Sequence, residues 1–137
     1  MWEDRYLMLN VGIVGLGTIG KVVAKALDDG MDGLQLSSIA SGRREKAEAF
    51  LATLNTPIEV MSIEDVADSC EIVVDCAPKV VFDEIANATI SRGKILVTVS
   101  GAGILANPDI EKQPSKRKRG SSLRPAHYLD WTLYAQR

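Results

Sequence analysis

Three glycines, Gly15, Gly17 and Gly20 in the run GLGTIG, stand at the spacing G-x-G-x-x-G. That spacing suits the holding of a pyrophosphate rather than the making of bonds. Gly15 permits a tight turn, Gly17 lets the backbone come close to the phosphates, and Gly20 lets a helix pack closely on a strand. Thr18, Ile19 and Gly20 open that helix, whose N–H groups and positive dipole end favour an anion. A glycine-rich turn with no ligand is the plain alternative. A second group lies at Ser41-Gly42-Arg43-Arg44, about 20 residues past the glycines, where NAD-specific proteins place an acid for the ribose 2′-hydroxyl. Here no acid stands. Ser41 can hydrogen-bond a 2′-phosphate and Arg43 or Arg44 can pair with its charge, so NADP is expected to be accepted alongside NAD. The alternative for both arginines is a solvated start to a helix.

The elements around these residues must place them on one edge. Residues 7–14 (LMLNVGIV) form a short apolar run that stops at glycine, as a buried parallel strand does. In residues 18–27, Ile19, Val22, Val23, Ala26 and Leu27 recur at helical spacing, which predicts an amphipathic helix with that face inward. Strands are expected at 34–40, 58–61, 71–77 and 94–100, and helices at 44–54, 63–67 and 80–91. Ser62 with Asp65 reads as a helix cap, and Gly93 as a C-terminal stop. Five strands alternating with helices predict an α/β, Rossmann-type doubly wound parallel sheet. Ligands of such sheets bind at the carboxyl ends of the strands. Asp75-Cys76-Ala77-Pro78 and Ser100-Gly101-Ala102-Gly103 end two of the strands there. Ala77 and Pro78 are expected to border the cofactor, and the small residues of SGAG to leave room for a nicotinamide ring.

Composition narrows the classes. With 137 residues, a net charge of −2 and 46% hydrophobic residues, the chain is long enough to bury about two thirds of its unfolded surface. Fibrous and disulfide-framed classes are excluded. The cysteines, Cys70 and Cys76, have no second Cys or His pair to complete a zinc site. Cys76 has no His or Asn partner in the globular part, so it reads as a packing thiol rather than a nucleophile. Two free thiols, an acidic start (MWEDRY) and no apolar run of about 20 residues lead us to expect a cytoplasmic protein without membrane contact.

Charge divides the chain in two. Residues 1–110 carry nine Lys and Arg against sixteen Asp and Glu; residues 111–137 carry seven against two, with the only histidine, His127, and three of the seven aromatics. The expected organisation is a dinucleotide-binding domain over 1–110 and a basic, aperiodic tail over 111–137. Lys116, Arg117, Lys118 and Arg119 could neutralise phosphates, but no nucleic-acid-binding motif accompanies them, and a solvated run is the ordinary reading.

With NVGIVGLGTIG, VVDCAPKVVFDEIA and KILVTVSGAGILANPDI in order, residues 10–110 resemble the nucleotide-binding half of the L-aspartate dehydrogenase family. The resemblance implies an NAD(P)-dependent oxidoreductase that turns L-aspartate into iminoaspartate for pyridine nucleotide biosynthesis, with Ala102 contacting the cofactor and a homo-oligomer as one possible assembly. Homoserine dehydrogenase and dihydrodipicolinate reductase share the glycine element. The family's substrate half and its catalytic histidine find no match here, so no catalytic residue is assigned, and cofactor binding without turnover is expected. A tail translated out of frame would account for the break in character: with codons chosen to encode residues 120–137, a reading that starts one base earlier, at the last base of the Gly120 codon, gives IIVATGALSGLDAVRAA, which resembles the family's continuation. From another class, the alternative is a non-catalytic NADP-binding or redox-sensing module.

Overall fold

The computed structural model describes residues 8–99. Ala102, residues 100–137 and the tail expectations therefore lie outside the described residues. Four strands, β1 (Leu9–Val14), β2 (Leu34–Ala40), β3 (Ile72–Asp75) and β4 (Ile95–Thr98), pair in parallel in the order β2-β1-β3-β4. Between them run α1 (Thr18–Asp29), α2 (Arg44–Leu51), α3 (Ile63–Ser69) and α4 (Phe82–Ser91). Two apolar cores, one on each face, make the sheet doubly wound. Val11, Ile13, Ile39 and Val74 pack with Ala24 and Leu27 of α1 and Leu51 of α2. On the opposite face Val14, Ala40, Val73 and Leu96 pack with Val66 of α3 and Phe82, Ile85 and Ala86 of α4. Alternation along each strand supplies both faces.

One irregularity keeps that alternation in step. Leu36 and Ile39 both belong to the α1 side although they are three residues apart. The register slips between Val11 and Gly12, which pair with Leu36 and Ser38, and the extra residue, Ser37, donates its hydroxyl to the Val11 carbonyl at 3.3 Å. A bulge of this kind resets the phase of a strand. Ser38 then sits buried toward α3, its Oγ 2.9 Å from that of Ser69.

Several expected elements are shorter than their sequence patterns. Residues 58–61 do not form a ladder; they contribute one parallel bridge, Val60 to Ile39, with Ile39 N–H donating to Glu59 at 3.3 Å and Met61 N–H to Ile39 at 2.8 Å. Pro57 lacks a donor on one side and the Ser62 cap turns the chain on the other, leaving no length for a strand. The helix expected to reach Leu54 is regular only to Leu51, after which Thr53 and Leu54 close tighter three-residue turns. Asp28 fixes that end: its carboxylate accepts from the backbone N–H groups of Asn55 and Thr56 at 2.9 and 3.0 Å, and these bonds hold it below the ordinary carboxylate pKa. The chain enters α4 through a 3-10 turn, Lys79–Val81. The Ser62 cap is present, its Oγ accepting from Asp65 N–H at 3.1 Å. Gly93 likewise stands just past α4 with φ +70°.

The inward face of α1 differs from the expected one. Gly20, Ala24 and Leu27 are buried, whereas Ile19 and Val22 are 53% and 65% exposed. The close approach at Gly20 decides the phase, because a small residue must face the sheet where helix and turn nearly touch. No helix among the described residues is long and apolar enough to cross a membrane.

Candidate functional site

The carboxyl ends of β1, β2 and β3 bring three turns together. At the first, Gly15 has φ +96°, a left-handed conformation natural to glycine. A Cβ there would lie 2.7 Å from the Ala77 Cα and N. At Gly20 a Cβ would run into the Gly15 carbonyl oxygen and reach within 3.4 Å of the Cys76 Cβ. Both glycines are thus demanded by backbone standing against backbone. Gly17 is different: it is exposed, and a Cβ placed on it meets nothing within 4 Å. As the N-cap of α1 it brings no side-chain hydrogen bond, and the first turn holds no acidic residue. Among the described residues, the helix start therefore faces open space, with no side chain capping its N–H groups. This is the space a pyrophosphate needs, and the helix dipole favours its charge.

A cleft of ≈ 430 Å³ opens beside this turn. It unites Gly15, Ser41, Ala77 and Pro78, four of the residues expected from sequence, together with Gly42. Gly17, Thr18, Ile19 and Gly20 belong to the helix start and do not line the cleft, and Arg43 follows the lining residue Gly42 along the exposed loop. The lining also includes residues that sequence reasoning missed: Met61, Ile63 and Val81 supply apolar walls, and Glu64 and Glu84 supply carboxylates from the first turns of α3 and α4. Their one signal in the sequence was position, each lying just beyond the end of a strand or bridge. A hollow of ≈ 520 Å³ beneath α2, lined by Ser37, Leu51 and Pro57 among others, has no glycine turn beside it.

The second turn separates the two arginines. Arg44 is tied to Glu48 at 2.8 Å within α2, whereas Arg43 has no ion-pair partner among the described residues. Arg43 N–H donates to the Ser41 Oγ at 3.2 Å, so that hydroxyl keeps its own proton to donate. Of the two, Arg43 is the free cation. In the third turn, burial pushes the Cys76 thiol up to about 11, with the neighbouring Asp75 charge acting in the same direction. It is protonated at neutral pH, which fits a packing role and not a nucleophile. Cys70 is raised by burial as well, and its Sγ lies 3.0 Å from the Val66 carbonyl. Among the described residues no group of three His, Cys, Asp or Glu side chains is arranged to hold a metal.

The model of the homoserine dehydrogenase NAD-binding domain family matches residues 15–118, which include all three glycines. The chain belongs to this NAD-binding family. Its cofactor is NAD or NADP. The expected resemblance also holds in curated relatives. An L-aspartate dehydrogenase of Bradyrhizobium diazoefficiens is 42% identical over 102 residues, 74% of this chain and 36% of the relative. Another, from Methanocella arvoryzae, is 32% identical over 103 residues, 75% of this chain and 38% of that one. This NAD-binding domain thus spans less than two fifths of the length of these relatives. A scyllo-inositol dehydrogenase of Lactobacillus casei, solved with NAD(H) and scyllo-inositol, superposes with a TM-score of 0.67 at 18% identity, covering 77% of this chain and 32% of that one. That likeness shows the Rossmann fold.

Proposed function

We propose that this domain is the dinucleotide-binding part of an L-aspartate dehydrogenase that accepts NADP as well as NAD, acting in the cytoplasm, where Cys70 and Cys76 stay reduced. The 42% identity to the Bradyrhizobium diazoefficiens L-aspartate dehydrogenase carries the reading, and the open, uncapped helix start at Gly17 supports it from the structure. In the reaction, hydride leaves the substrate Cα, the amine gives up a proton to a general base, and L-aspartate becomes iminoaspartate. The bound nicotinamide supplies the hydride acceptor. This domain's residues contribute binding: the first turn of α1 faces the pyrophosphate, Gly15 and the Ala77–Pro78 wall fix its approach, and Ser41 with Arg43 faces a 2′-phosphate. Ala102 and the SGAG run are proposed to stand beside the nicotinamide ring.

Two measurements test this. Fluorescence titration of the purified chain with NADPH and with NADH is expected to give saturable binding of both, with no L-aspartate-dependent reduction of NADP+ or NAD+. A chimera of residues 1–110 joined to the remaining length of the Bradyrhizobium diazoefficiens relative is expected to reduce NADP+ with L-aspartate. A chimera that folds but neither binds NADPH nor reduces NADP+ overturns the dinucleotide-binding reading.

A further inference from the structure

Asp75 is 1% exposed, at the last position of a strand whose other residues, Ile72, Val73 and Val74, are apolar. A buried carboxylate is costly unless hydrogen bonds hold it, and a valine would continue the strand without that cost. Both oxygens are engaged. Oδ1 accepts from the Ala77 N–H at 3.1 Å, and Oδ2 accepts from the Thr98 hydroxyl at 2.8 Å. Thr98, itself buried, is the residue paired with Asp75 across β3 and β4. One side chain therefore ties the turn after β3 to the end of the next strand.

That turn faces the glycines. Ala77 presents its Cα and N to Gly15 so closely that Gly15 has no room for a side chain, and Ala77 and Pro78 line the cleft. The backbone of Ala77 is thus confined by Gly15 on one side and by the Asp75 carboxylate on the other. A hydrophobic residue at 75 would leave the first confinement and remove the second. We infer that Asp75 is a positioning residue for the dinucleotide, holding the Ala77–Pro78 wall at the separation from Gly15 that the bound cofactor requires. The inference rests on the dinucleotide-binding reading.

The test is NADH binding by the full chain, measured well below each variant's own Tm, so that affinity and folding are read apart. Asp75→Ala is expected to raise Kd about tenfold, the effect of losing one charge-assisted buried hydrogen bond. Asp75→Asn keeps an acceptor for Ala77 N–H and is expected to stay within about threefold of wild type. Leu27→Val, which thins the core on the opposite face near the C-terminal end of α1, is expected to lower Tm and leave Kd unchanged. Thr98→Val keeps the volume but removes the carboxylate's anchor, and is expected to raise Kd about threefold; it carries the test should Asp75→Ala not fold. Wild-type Kd in folded Asp75→Ala, or in Thr98→Val where that is the folded variant, overturns the inference while leaving dinucleotide binding intact. A wild-type chain that does not bind NADH overturns both.

Discussion

Two turns at the same sheet edge are built on opposite terms. The glycine turn after β1 is enclosed by backbone: Gly15 meets Ala77, and Gly20 meets Gly15. The turn after β2 is open, with exposed Gly42 and Arg43 and one described bond, Arg43 N–H to Ser41 Oγ, across it. The first is shaped by its own backbone contacts and, among the described residues, leaves room at Gly17. The second holds a cation that a ligand would have to order. On the proposed dinucleotide-binding reading, the enclosed turn suits what every dinucleotide has in common, its pyrophosphate, and the open loop suits what distinguishes one from another, the group on the ribose.

Substitutions of enclosed glycines give the largest expected effects. Gly20→Ala drives a methyl group into the Gly15 carbonyl, and Gly15→Ala adds a left-handed strain to a backbone collision; each should cost about 3 kcal/mol of stability, read by urea unfolding. A loss below about 0.5 kcal/mol in either would break the contrast, since surface substitutions commonly fall in that range. Gly17→Asp sharpens it from the other side. The carboxylate caps α1 and should leave stability unchanged or raise it by up to about 1 kcal/mol. It also occupies the anion space, so NADH affinity should fall at least tenfold, or about 1.4 kcal/mol.

Smaller effects belong to the open turn and its surroundings. Arg43→Ala should weaken NADPH about tenfold and leave NADH within about twofold, because a charge-assisted bond to phosphate is lost from one ligand only. Equal weakening of both would show that Arg43 does not discriminate. Ser62→Ala removes the cap of α3 beside the cleft, and thermal unfolding should register a loss of about 1 kcal/mol. The weakest expected effect is on the pH profile. Cys76 ionises at about 11 in the folded chain against an ordinary 9.0. Between those values the unfolded chain releases the thiol proton first, so this contribution is complete below pH 9 and is lost as pH rises toward 11. Tm should fall across that window, and Cys76→Ala should flatten the fall; an unchanged slope would remove Cys76 as its source.

The glycine turn was legible because its constraint is local. Tight turn, ligand space and close packing each need an absent side chain at a fixed offset along the chain, and the spacing of Gly15, Gly17 and Gly20 records it. The capping pair Ser62 and Asp65 was legible for the same reason, as donor and acceptor lie three residues apart. Parallel strands could be read from apolar runs ending in glycine or proline, and the α/β order from the alternation of periods. What failed was phase and extent. The apolar residues Ile19 and Val22 look inward by periodicity, yet Gly20 takes the inward position because α1 approaches the β1 turn there. Residues 58–61 have strand-like composition, yet one bridge to Ile39 is all that their place between Pro57 and Ser62 permits.

By itself the sequence determined the strand–glycine–helix unit, the parallel α/β class and the identities of the residues at the strand ends, since each follows from contacts within a few positions. Only the tertiary structure decided that Glu64 and Glu84 share a cleft with Ser41, that Ala77 stands against Gly15, and that Asp75 reaches Thr98. Those outcomes depend on parallel strands far apart in sequence being laid side by side, which periodicity along the chain does not encode.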